Sequence, residues 1–138
     1  MAYYTHQTSR RDLGFGAIWL ASSFPVVCFT LALAADLAYW RTENLLWLHF
    51  SEWLLFAGLA VGVLALLLGG IGRLVNRSYP SWPTLGLGTA VLILAAINSF
   101  VHTADGWTAV VPWGLALSVA TVVAMAITWW VASAGGRV

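Results

Sequence analysis

Apolar residues fill four stretches of the chain, at about Ala17–Trp40, Ser51–Ile71, Thr84–Thr103 and Thr108–Ala132. Each stretch holds about 20 residues or more, which at ~1.5 Å per residue crosses ~30 Å of hydrocarbon. The gaps Arg41–Phe50, Gly72–Pro83 and Ala104–Trp107 are short and polar. Short connections make consecutive helices antiparallel neighbours. The pattern predicts an all-α, polytopic membrane protein: four transmembrane helices in an up-down-up-down bundle over residues 13–134. A polar tail at 1–12 precedes it and a short tail at 135–138 follows. The apolar run after Ser9-Arg10-Arg11 is longer than the core of an export signal, so it is expected to remain as the first helix.

Small residues predict how the helices pack. Gly58, Gly62, Ala65 and Gly69 share one stripe of helix two, and Ala116, Ala120, Ala124 and Thr128 form a similar row on helix four. Such rows let backbones approach closely where lipid is as apolar as leucine. Both are expected inside the bundle, with contact to another subunit as the alternative for one of them. Pro25 predicts a kink or loosened turn in helix one. Pro83 suits the start of helix three, and Pro112 falls in the first turns of helix four.

Composition agrees with this picture. Of 138 residues, 61% are hydrophobic and 8% charged, against about 25% charged in a soluble domain. A net charge of +1 with six arginines and no lysine excludes nucleic acid as a partner. The missing lysine also excludes a retinal Schiff base. Cys28 stands alone and reads as a packing residue.

The arginines orient the bundle. Arg10, Arg11, Arg73, Arg77 and Arg137 lie on one side and only Arg41 on the other. By the positive-inside rule both termini are expected in the cytoplasm. Asp36, Glu43, Glu52 and Asp105 then gather at the outer end. Trp40, Trp47, Trp53, Trp107 and Trp113 mark one interfacial belt. Trp19, Trp82, Trp129 and Trp130, with Tyr79, mark the other.

Candidate chemistry concentrates at that outer end. Asp36 lies about one turn from the end of helix one, and Asn98 and His102 share a face of helix three. His49, Glu52 and Asp105 stand nearby in sequence. An ionisable group within a membrane helix needs a partner or a role. Asp36 is therefore expected to bond His102, a backbone N–H or a tryptophan N–H, pinning helix one to helix three. His49 and His102 with a carboxylate would suit a transition metal, and His49 with His102 a haem, as cofactor-binding alternatives. A proton relay through Asp36 is a further one, opposed by the lack of another acid deep in a helix. Nothing in the sequence forms a hydrolase triad, a phosphate loop or a zinc-protease helix, so no catalytic residue is assigned.

Several short motifs together resemble the bacterial four-helix membrane family known as domain of unknown function 2231. They are Phe24-Pro25, Asp36-Leu37-Ala38-Tyr39-Trp40-Arg41-Thr42, Phe50-Ser51, Trp53-Leu54-Leu55 with Gly58, Asn98, Phe100-Val101-His102, Asp105-Gly106, and Val110-Val111-Pro112 with Gly114. The resemblance covers about Gly16 to Val131. It departs at Ile18-Trp19, where the family commonly has His-Pro, and at Gly72, where it commonly has an aspartate. An activity carried by those residues would be lost here. Family members can be fused to redox domains, which implies a place beside periplasmic electron transfer. The sequence thus points to a non-enzymatic subunit, anchor or scaffold of a larger membrane assembly, with a membrane-protein partner or a homo-oligomer. A small haem- or metal-binding protein and an oligomeric small-solute transporter are the alternatives.

Overall fold

The computed structural model describes residues 8–75, 80–104 and 110–135, with side chains from residue 20 onward. Four helices account for nearly all of them: α1 Thr8–Thr42, α2 Leu45–Val75, α3 Trp82–Ala104 and α4 Leu115–Gly135. There is no strand among the described residues. Four stretches are long and apolar enough to cross a bilayer: Leu20–Thr42, Leu45–Val75, Trp82–Ala104 and Val110–Ala134, the last taking in the five residues ahead of α4. The helices form a ring in chain order, with α1 against α2, α2 against α3, α3 against α4, and α4 closing on α1.

One spacing recurs along every helix. The buried positions of α2 are Leu48, Ser51, Leu55, Gly58, Gly62, Ala65 and Gly69, alternating steps of three and four. In α3 they are Val91, Ala95, Asn98 and His102, and α4 buries Ser118, Thr121 and Met125. In α1 the stripe passes through Cys28, Phe29, Ala32, Ala35, Asp36 and Tyr39. This alternation keeps one seam facing the bundle axis. The outward faces carry Leu31, Leu64, Leu67, Ile93, Phe100 and Val123, all exposed. Large apolar side chains outside and small or polar ones inside are what a lipid solvent selects. The protein is a multi-pass membrane protein.

The small-residue stripe of α2 is a tight internal seam. A Cβ added at Gly58 would stand 2.5 Å from Phe29 Cε1 and 3.0 Å from Cys28 Cβ, and one at Gly62 2.6 Å from Leu92 Cδ2. Phe29 is 1% exposed and cannot swing away. Gly58→Ala is therefore expected to destabilise the bundle by about 1–3 kcal/mol through overpacking. Gly70 meets nothing within 4 Å, so Gly70→Ala should be neutral or better. Unfolding in mild detergent should separate the two; equal midpoints would mean that the seam is loose.

The row on α4 corrects an expectation. Ala116 and Ala120 are exposed, and Ala124 and Thr128 half-buried. The inward stripe is instead Gly114, Ser118, Thr121 and Met125. Alanine can face lipid without penalty, whereas the Ser118 hydroxyl needs a partner inside the protein.

Helix limits also differ from the apolar runs. α1 already begins at Thr8, inside the expected tail, and continues through Pro25. The expected ten-residue gap after α1 shrinks to Glu43 and Asn44. Glu43 adopts φ 52°, and its N–H bonds Tyr39 O at 2.7 Å, ending α1 in the left-handed region. Asn44 then caps α2, its Oδ1 accepting the Leu46 N–H at 3.0 Å. At the start of α3, Ser81 Oγ accepts the Thr84 N–H at 3.4 Å. α4 starts later than expected. Val111 is extended at φ −121°, ψ 118°, as a residue before proline prefers, and the Val111–Pro112 peptide is cis. Regular helix resumes at Leu115.

Candidate functional site

All four helices meet at one buried polar centre near the α1–α2 connection. Asp36 comes from the inward stripe of α1, Ser51 from α2, Asn98 and His102 from α3, and Ser118 from α4. The first four are 0% exposed and Ser118 2%. Steps of three and four residues put each of them on the same face as the core residues around it. Apolar clusters seal the centre on both sides. Tyr39, Leu48 and Val110 pack toward the connections, and Phe29, Ala32, Leu55, Val91, Ala95 and Met125 toward the bundle middle.

The hydrogen bonds form a closed circuit. His102 Nδ1 lies 2.9 Å from the Asn98 carbonyl oxygen. A carbonyl only accepts, so Nδ1 carries a proton. His102 Nε2 lies 2.9 Å from Asp36 Oδ1, and one proton must sit between these two atoms. The Asn98 Nδ2 group donates to Ser118 Oγ at 2.7 Å, and Ser118 donates to Asp36 Oδ2 at 2.5 Å. Ser51 makes two longer contacts, 3.4 Å to Ala32 O and 3.4 Å to His102 Nε2. Asp36 and His102 thus hold one proton in common, and that contact ties α1 to α3 across the ring. The Cε1 edge of the His102 ring abuts the backbone at Gly114, just ahead of α4, where there is no side chain: a Cβ there would stand 2.9 Å from Cε1.

His49 is not part of this centre. It lies on α2 rather than in a loop, and its side chain is 64% exposed and paired with Glu52 at 3.2 Å. On a helix, His49 points well away from the face shared by Leu48 and Ser51. His49 and His102 therefore cannot clamp one haem. His102 is also poorly suited as a ligand to any metal. Nδ1 is committed to a carbonyl, and Nε2 to a carboxylate whose other oxygen is already bonded. Among the described residues no three His, Cys, Asp or Glu side chains could surround a metal ion. The donor set does not fit haem or a transition metal.

Asp105 lies outside the described residues, as do the side chains of Ile18 and Trp19. Gly72 is near the far end of α2, so that departure from the family pattern does not touch the polar centre. Trp40, Trp47, Trp53, Trp82, Trp113, Trp129 and Trp130 are exposed, as interfacial anchors are. Arg41 stacks on Trp40, 5.7 Å from the ring centre.

Three members of the centre carried no functional weight in the residue pattern: Ser51, Ser118 and Gly114. Their signal was positional. Gly114 and Ser118 are four apart, with Pro112 just ahead to start the helix. Ser51 falls at the depth where an antiparallel α2 passes Asp36.

A family model described as "Predicted membrane protein (DUF2231)" matches residues 21–137. No curated protein and no solved structure matches the chain. The chain belongs to the DUF2231 family.

Proposed function

On that membership, we propose that the protein is a non-catalytic subunit, anchor or scaffold of a larger membrane assembly. In this reading it sits in a bacterial inner membrane with both termini cytoplasmic. The observation that carries it is the sealed polar centre. Every ionisable group there is spent on another helix, and apolar side chains close both sides. Such a centre is a clasp that fixes helix positions, and it offers no reacting atom to a substrate. A transporter needs a polar site that opens to water, and this one is enclosed. The placement beside periplasmic electron transfer rests on the family resemblance and on the outward position of the clasp in this orientation.

The test is purification of the tagged full-length chain from native membranes in a mild detergent. The expected result is a complex with at least one other membrane protein in fixed proportion, and no haem absorption from this chain. A lone monomer after gentle extraction would overturn the reading. A bound cofactor lost on His102→Ala would restore the haem or metal alternative.

A further inference from the structure

The circuit leaves one atom unaccounted for. Asn98 Oδ1 is a fully buried amide oxygen with no hydrogen-bond partner. In a lipid-embedded bundle, a buried acceptor without a donor is costly and rare. Turning the carboxamide over does not help. Oδ1 would then face Ser118, whose single proton would be asked for by both Asn98 Oδ1 and Asp36 Oδ2, and Nδ2 would become the unpaired group. The amide is therefore oriented as described, and its oxygen needs a donor from elsewhere.

The neighbouring polar group is on α4. Thr121 is 1% exposed and lies one helical turn from Ser118, the residue that Asn98 Nδ2 already touches. The Thr121 hydroxyl gives its proton to Leu117 O at 2.8 Å. Its lone pairs are left to accept. Asn98 Oδ1 on α3 and Thr121 Oγ1 on α4 are thus two buried acceptors, each within about one helical turn of the Asn98–Ser118 bond. They call for a small neutral molecule with two donors. A cation is a poor match, because it would need several oxygens and both oxygens of Asp36 are already engaged. A single water suits: buried waters typically bind two to four polar groups left unpaired by the protein.

We propose that one structural water binds between Asn98 Oδ1 and Thr121 Oγ1. It donates one proton to each and joins α3 to α4 beneath the clasp. Its consequence reaches further than its two bonds. By holding Oδ1, the water keeps Nδ2 aimed at Ser118. Ser118 then keeps its own proton on Asp36 Oδ2, and Asp36 keeps Oδ1 for His102. The water thus reinforces the direction in which the circuit already runs. This site does not depend on the protein's having a partner in the membrane.

Solid-state NMR of the full-length chain in lipid bilayers tests the proposal through magnetisation transfer from water. The expected result is a water contact at the Asn98 carboxamide and at the Thr121 hydroxyl, although neither is reachable from the surface. Thr121→Val keeps the shape and removes the acceptor. It should abolish the contact at Asn98 and shift the His102 ring-nitrogen signals. Thr121→Ser keeps the acceptor, should preserve both, and serves if the valine variant does not fold. No water contact at Asn98 in the unmodified chain overturns the proposal. So does a Thr121→Val protein whose Asn98 contact is unchanged.

Discussion

Replacing His102 with alanine should destabilise the bundle by about 3–5 kcal/mol, the range for removing one partner of a buried ion pair. The individual bonds do not explain a loss of this size. Interhelical hydrogen bonds in membrane proteins average only about 0.6 kcal/mol. Three consequences act together here. The Asp36 carboxyl stays fully buried with Ser118 as its remaining partner. The ring volume becomes a void between α1, α3 and the bare backbone at Gly114. The only described side-chain bond across the diagonal of the ring disappears. Asp36→Asn should behave differently. Its oxygen still accepts from Ser118 and its amide can donate to a neutral His102 ring, so the loss should stay within about 1 kcal/mol, one net hydrogen bond. Reversible unfolding in detergent or bicelles would rank the two. A His102→Ala protein as stable as Asp36→Asn would show that the centre is incidental to the fold.

Gly114→Ala should lower stability by about 3 kcal/mol, at the upper end of overpacking effects. The added methyl would lie 2.9 Å from His102 Cε1 and 3.3 Å from Nδ1. A flexible side chain would turn aside. This ring is held at both nitrogens, so any shift lengthens the bond to Asp36 or the bond to Asn98. The same substitution made together with His102→Ala should be close to harmless, since the methyl then has room. A full penalty that persists without the ring would place the strain elsewhere.

The sequence carried the four spans because lipid imposes a long, simple signal. Charge is almost absent from each span, and length alone sets the minimum. The helix ends were harder to read. Thr42, Glu43 and Asn44 look like the opening of a polar loop, yet Glu43 in a left-handed conformation and the Asn44 cap turn the chain within two residues. His49 then joins a helix that its flanking polar residues had hidden. Asp36 and His102 were legible as partners because an acid and a histidine at matching depths have few other choices in a membrane. Ser118 and Ser51 were not, since a serine in a membrane helix ordinarily bonds its own backbone. Thr30, Thr89 and Thr128, the analogous hydroxyl residues elsewhere, do so. The α4 row misled for a related reason. Ala116 and Ala120 have the spacing of a packing seam, but only the position of Ser118 decides which stripe of α4 turns inward.

The central claim is that Asp36 and His102 hold one proton between them and thereby fasten α1 to α3. A double-mutant cycle on these two residues, measured by reversible unfolding in a lipid-like medium, tests it most directly. Each alanine variant should be strongly destabilised, and the double variant should lose at least about 2 kcal/mol less than the two losses added, as residues in one network do. Losses that add to within about 0.5 kcal/mol, the behaviour of independent sites, would contradict it.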